Sequence, residues 1–324
     1  MFLKLLRLAG FLVLFLVIIG GVLGAALSRV MMLPSANSQN EYVYLAPGQG
    51  VLRAAYLSAD AARSWQVRNI VLVAGVMGIE RQLKAGEYEL KPGTRLVDHL
   101  MAMRDGDTFK RRVAVPEGLS SAQVISLIKD AFGLELEGLT EPAEGSLQPD
   151  TWFYERGDKA TALVARMQAA QAVFLKEAWE TRAPGLPLRS PEEALVLASI
   201  VEKETGVASE RPLVAAVFVN RLKKGMRLQS DPTVVYGVNG GQPLGRAIRK
   251  SDLAAENPYN TYVINGLPPT PIANPGRDTI RAVLDPAPVD YLYFVADGTG
   301  GHAFARTHDQ HLKNVAAWRR VSQR

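Results

Sequence analysis

No cysteine occurs anywhere in the 324 residues. That absence excludes disulfides, thiolate nucleophiles and cysteine-ligated zinc or iron–sulfur sites. Histidines are few, and His302, His308 and His311 follow a glycine-rich stretch without any recognisable metal-ligand motif, so neither a metal nor another cofactor is expected. Most of the chain also lacks an excess of basic charge. The net charge is +5, but Lys4, Arg7 and Arg29 account for much of it, and the remainder is close to neutral. Nucleic-acid binding needs a concentrated basic patch and is therefore not expected.

What the chain does have is an uncharged apolar run from Leu8 to Leu27. As a helix rising about 1.5 Å per residue, this run covers the roughly 30 Å of a bilayer's hydrocarbon core. Lys4 and Arg7 precede it, so the positive-inside rule leaves a short N-terminus in the cytoplasm and exports the rest. A cleaved signal peptide is the rival reading, with Gly24 and Ala26 as small residues at a cleavage site. Signal-peptide cores are usually about 7 to 15 residues, and the longer run favours a retained inner-membrane anchor over residues 1–29. Residues 30–40 include the small polar stretch Pro34 to Asn40 and read as a linker. A cysteine-free exported chain suits an oxidising envelope.

The next hundred residues, 41–140, alternate strand, Pro/Gly turn and helix. Strands are expected at Tyr42 to Leu45, Gly86 to Leu90 and Arg111 to Val115. Helices are expected at Gly50 to Arg63, from Thr94 as cap to about Met103, and from Ser120 to about Ala131. Gly133 to Pro149, rich in Gly, Glu and Pro, is the expected boundary with a more helical second part, 141–324. There, Ala160 to Thr181 reads as one long helix. Ser190-Pro191-Glu192-Glu193 then gives a sharp helix start, with Ser190 as N-cap and Glu193 completing a capping box.

In the helix from Pro191 to Thr205, a step of about 100° per residue brings Glu204 within about 20° of Leu197, between Ile200 and Val201. Glu204 thus falls on the most apolar stripe, while Glu202 and Lys203 fall outside it. Desolvation disfavours the charged form of such an acid and raises its pKa, which suits a general acid. The bland alternative is a terminal glutamate that points past the core into solvent or pairs with an arginine. Downstream, a nearly all-apolar helix from Ser209 through Asn220-Arg221 to Gly225 is expected to be buried. Ser230 or Asp231 can cap a short helix begun by Pro232, and Asn257 to Tyr262 reads as an extended polar and aromatic segment. Amides, hydroxyls and rings on proline-fixed loops suit a sugar-binding cleft. The candidate contacts are Thr205, Gln229, Ser230, Asp231, Tyr236, Tyr259, Asn260, Thr261, Tyr262 and Asn274.

Several stretches together resemble the MltG-type (YceG-like) endolytic murein transglycosylase family: Ala198-Ser199-Ile200-Val201-Glu202-Lys203-Glu204-Thr205, Val217-Phe218-Val219-Asn220-Arg221-Leu222, Leu228-Gln229-Ser230-Asp231-Pro232-Thr233, Tyr259-Asn260-Thr261-Tyr262 and Gly266-Leu267-Pro268-Pro269. Lys84-Ala85-Gly86-Glu87-Tyr88 and Pro116-Glu117-Gly118 are similar to the family's LysM-like module. Gln148 stands where the family commonly has an aromatic. The resemblance implies an α+β chain with an N-terminal transmembrane helix, a small LysM-like mixed α/β module, and a mainly helical catalytic domain with a C-terminal β-hairpin.

It further implies cleavage of the β-1,4 bond between N-acetylmuramic acid and N-acetylglucosamine within peptidoglycan strands, leaving 1,6-anhydromuramyl ends. The family's catalytic glutamate aligns with Glu204, and work beside inner-membrane peptidoglycan synthases such as penicillin-binding proteins is implied. Most glycosidases need a second acid, whereas an intramolecular attack can use one acid twice. Asp231 is the candidate second acid, although its place before Pro232 also fits a cap. Two other classes stay open. One is a non-catalytic peptidoglycan-binding envelope protein. The other is a hydrolase using Ser199 and Lys203, which lie four apart on one helical face.

Overall fold

The computed structural model describes residues 2–32, 34, 39–58, 71, 72, 74, 75 and 77–322. The chain is α+β and divides into two compact units: residues 1–111 with 154–157, and residues 112–153 with 158–324. The Gly133–Pro149 stretch thus lies inside the second unit. Residues 33 and 35–38 of the expected linker and the end of the expected helix beyond Ser58 lie outside the described residues.

The first unit begins with α1 (Phe2–Met31), in which Arg7–Arg29 is long and apolar enough to cross a membrane. Strand β1 (Glu41–Leu45) pairs antiparallel with β2 (Gly86–Leu90), and helices α2 (Val51–Ser58) and α3 (Leu96–Asp105) accompany them. Leu45, Ala54, Ile79, Tyr88, Leu100 and Met103 form the unit's small core. Glu87 is 2% exposed and held by Arg111, Nε to Oε2 at 2.6 Å. Thr94 does not cap α3. The N-cap is Arg95, which makes no side-chain cap bond because a guanidinium has no acceptor for the first-turn amides; it pairs with Asp98 instead.

The second unit holds all but one end residue each of β3 (Arg111–Val115) and β4 (Asp150–Tyr154), which pair with each other, and α4 (Ser121–Asp130) lies between them in sequence. A full capping box, Ser120 with Gln123, starts α4. The long helix α5 (Ala160–Glu180) follows, then α6 (Pro191–Glu204), a single 3-10 turn (Ala208–Glu210), α7 (Arg211–Lys223), α8 (Asp231–Asn239) and α9 (Lys250–Ala254). Helix α10 (Arg277–Leu284), an antiparallel hairpin of β5 (Tyr293–Ala296) and β6 (His302–Ala305), and α11 (His308–Ser322) complete the chain.

The core of this unit is built where α6, α7 and α10 meet. Leu197, Ala198, Ile200 and Val201 of α6 pack with Val214, Ala215 and Phe218 of α7 and Ile280 and Val283 of α10. Each Val, Leu, Ile or Phe among them contributes about 1.5–3 kcal/mol when fully buried. At the start of α6, Ser190 accepts from the Glu193 amide as expected, but the reciprocal half of the box is missing. Glu193 is instead engaged by the Arg189 amide and guanidinium. The Asn257–Tyr262 segment is not extended but a run of turns. The Asn257 side chain accepts from the Tyr259 amide and the Asn260 side chain accepts from the Tyr262 amide, each closing a turn on itself.

Candidate active site

The face of α6 that packs the core ends in Glu204, its last residue. Leu197, Ile200 and Val201 on that face are fully buried, so the same periodicity that fills the core delivers the Glu204 carboxyl to the core's edge. There a cleft of about 390 Å³ opens, lined by Glu204, Arg221, Leu228, Gln229, Asp231, Tyr262, Phe294, Val295 and His311. Burial pushes the Glu204 carboxyl up to about 7. The hydrogen bond from Ser230 and the positive charges of His302 and Arg221 oppose that rise, and the negative charge of Asp231 adds to it.

The loop facing Glu204 is held by Thr261 of a separate segment. Gln229 has a φ of 51°, left-handed and unusual for a residue with a side chain. Thr261 sustains this conformation: its carbonyl accepts from the Gln229 amide at 3.1 Å and its hydroxyl accepts from the Ser230 amide at 2.9 Å. The turn aims the buried Ser230 hydroxyl at Glu204, and Ser230 Oγ donates to Glu204 Oε1 at 2.5 Å. Ser230 is the N-cap of α8 but makes no side-chain cap bond: its hydroxyl is turned to Glu204, and the Thr233 amide takes the Ser230 carbonyl instead. Nor does Asp231 cap the helix. It is the first helical residue, and its carboxylate accepts the Tyr262 hydroxyl at 2.6 Å on the cleft wall.

The sequence-predicted residues therefore divide. Glu204, Gln229, Asp231 and Tyr262 line one cleft, with Ser230 directly behind Glu204. The others are engaged elsewhere. Asn260 donates to the carbonyls of Asp252, Leu253 and Ala255. Asn274 accepts the Leu147 amide and donates to the Leu119 carbonyl. Thr205 accepts the Val207 amide and donates to Glu210. Tyr236 donates to Glu144 and packs its ring 4.9 Å from that of Tyr259, whose hydroxyl meets Thr270.

Two other acids have partners outside the cleft: Glu202 accepts the Gly276 amide and faces Arg211, and Glu210 clasps His302 Nδ1 at 2.6 Å. Ser199 and Lys203 do not form a pair. Ser199 is fully buried, donating to the Val196 carbonyl and accepting the Ile272 amide, while Lys203 donates to the Gly118 carbonyl.

Sequence reasoning passed over Arg221, Leu228, Phe294, Val295 and His311 as cleft residues. Only Arg221 carried a signal, a charged side chain at the end of a helix otherwise read as buried. A wider groove of about 930 Å³ lies along α5 and α10, with Val173, Phe174, Arg277 and Arg281 on its walls, and holds none of the predicted residues.

With this geometry in hand, comparisons with known proteins converge. The model of the YceG-like family matches residues 49–317. The endolytic murein transglycosylase of Bacillus subtilis strain 168 is 31% identical over 248 residues, covering 75% of this chain and 66% of that protein. The protein of the same description from Streptococcus pneumoniae strain D39 is 29% identical over 280 residues, covering 72% of this chain and 50% of its own length. The chain thus spans between half and just under two thirds of these relatives. A crystal structure of a YceG-like protein from Listeria monocytogenes, 26% identical, superposes with a TM-score of 0.53 over 86% of this chain and 99% of that one.

Proposed function

Because the chain belongs to the YceG-like family, we propose that it is an endolytic peptidoglycan transglycosylase with Glu204 as its acid and base. The observation that carries this reading is a carboxyl held near pKa 7 by burial at the edge of a polar cleft. Such an acid is partly protonated at neutral pH, where proton donation to a leaving oxygen is most effective.

In the proposed reaction the glycan lies across the cleft with the bond between N-acetylmuramic acid and N-acetylglucosamine at Glu204. Glu204 gives its proton to the glycosidic oxygen as the C1–O bond breaks, and positive charge develops at the muramic C1. The Glu204 carboxylate, held by the Ser230 hydroxyl, then takes the proton of the muramic 6-hydroxyl as that oxygen bonds to C1. The 1,6-anhydro ring closes, Glu204 is protonated again, and no water is consumed. Bringing in an external nucleophile would cost entropy, and the sugar's own hydroxyl avoids that cost. Asp231 is not needed as a nucleophile. Its negative charge favours the neutral form of Glu204 and suits a developing cation at C1.

The N-terminal helix is read as a single-pass inner-membrane anchor with the second unit in the periplasm, and the rest of the first unit as a LysM-like module. Confined to the membrane face, such an enzyme would cut new strands beside the synthases that extrude them. The test is digestion of purified glycan strands followed by mass measurement of the ends. The expected products are 1,6-anhydromuramyl ends, and Glu204→Gln abolishes them while circular dichroism stays unchanged. Ends carrying an added water would overturn the transglycosylase step, and an active Glu204→Gln would overturn the assignment of Glu204.

A further inference from the structure

Arg221 is the one cleft residue whose charge the reaction above leaves unused. It is 8% exposed, near the end of a helix whose neighbouring residues Val214 to Val219 are all buried. Its Nε donates to the Leu292 carbonyl at 2.7 Å and its Nη1 to the Leu228 carbonyl at 2.7 Å. The guanidinium lies 5.4 Å from the centre of the Tyr293 ring. Among the described residues no carboxylate comes within ion-pair distance of Arg221, and Nη2 meets no protein acceptor. Burying a cation without a counter-ion in contact is costly, and the two carbonyls supply dipoles but no negative charge. The two carbonyl bonds orient the fork, and the cleft on which it borders is where an anion could reach it.

The other ionisable groups on the cleft do not fill this role. Glu204 acts on Arg221 through space but makes no contact pair with it and is engaged by Ser230, Asp231 is engaged by Tyr262, and His311 has its proton affinity lowered by burial and by Arg221 itself. An oriented guanidinium with a free edge is suited to a planar, charged acceptor, which it binds more strongly than a neutral oxygen. We infer that Arg221 is a specificity-determining residue that binds a carboxylate carried by the muramic unit of the strand. This inference rests on the peptidoglycan reading. It adds that the cleft distinguishes an acidic sugar from a neutral one, so that a uniform chain of N-acetylglucosamine is a poor ligand. Two carboxylates share this chemistry: the lactyl group of a peptide-free muramic unit, and the carboxyls of a stem peptide where one is attached.

The experiment uses the full-length Glu204→Gln protein, which binds without turnover, and calorimetric titration with tetrasaccharides of alternating N-acetylglucosamine and N-acetylmuramic acid. Four forms are compared: the peptide-free acid, its methyl ester, and the peptide-bearing strand with and without amidation of its peptide carboxyls. Blocking the carboxylate that Arg221 reads should weaken binding about tenfold or more. Loss on esterification identifies the lactyl group, and loss on amidation identifies the stem peptide. Adding Arg221→Gln should remove the difference between free and blocked forms, whereas Arg221→Lys should keep part of it. The first comparison leaves Arg221 intact, so it stands even if those variants fold poorly. Equal binding of all free and blocked forms, or discrimination that survives Arg221→Gln, would overturn the inference while leaving the saccharide reading in place. If no tetrasaccharide binds and wild-type protein cuts no strands, both fall.

Discussion

At Glu204, burial holds a proton on an acid that would lose it in water. The carboxyl titrates near 7 in the folded chain against an ordinary value of 4.5. Between those two pH values the native state binds more protons than the unfolded state, so stability falls as pH rises through that window. Glu204→Gln has no charge to bury. It should therefore exceed the wild type in stability by up to about 3 kcal/mol above pH 7, with the difference vanishing below about pH 4.5. Urea melts at several pH values measure this directly. The same titration predicts that kcat/KM declines on the alkaline side with a limb near 7, because only the protonated form can act on the leaving oxygen.

Ser199 gives the contrasting case, a buried hydroxyl whose bonds are structural. Ser199→Ala removes an acceptor for the Ile272 amide and should cost about 1–3 kcal/mol in denaturant melts. The folded fraction should keep its full specific activity. Loss of activity without loss of stability would revive a serine mechanism.

Helix α6 shows how an element carries information at both ends. Its start is set by Ser190 with Pro191 behind it, a signal readable in the sequence because an N-cap acts within one turn. Ser190→Ala should lower stability by about 1 kcal/mol in a denaturant melt. Its far end was readable through the apolar stripe, since Leu197, Ile200 and Val201 all point into the core. The capping box was only half readable, because Glu193 can reach either the Ser190 amide or Arg189 and takes the latter. The Asn257–Tyr262 segment was misread for a related reason. Its asparagines signalled polar contacts, but their side chains satisfy amides two residues on, which bends the chain into turns. Helix α10 went unread although Ile280, Val283 and Leu284 follow helical spacing, because its short length gives periodicity little to work on.

For the whole molecule, the relevant contrast is between the apolar N-terminal helix and the unit that holds every cleft residue. Deleting the residues before Gln39 should move the protein from the membrane to the soluble fraction in a flotation assay. Its kcat/KM on soluble strands should not change, because no cleft residue belongs to the first unit. A large drop would mean that the removed segment contributes to the cleft.

The sequence by itself determined those features that depend on neighbours a few residues away: the membrane-length helix, the capped start of α6, the burial of α7, and the presence of Glu204 on an apolar stripe. Tertiary structure decided the rest. Arg221, Ser230, Asp231, Tyr262, Phe294 and His311 come from five separate elements and loops and meet Glu204 only because α6, α7, the β5–β6 hairpin and α11 pack as they do. It also decided which amides and hydroxyls face the cleft and which, like Asn260 and Asn274, are consumed by distant carbonyls. The physical reason is range. Helical periodicity and capping act over one or two turns, whereas the partner of a buried polar group is chosen by whatever the folded chain brings against it.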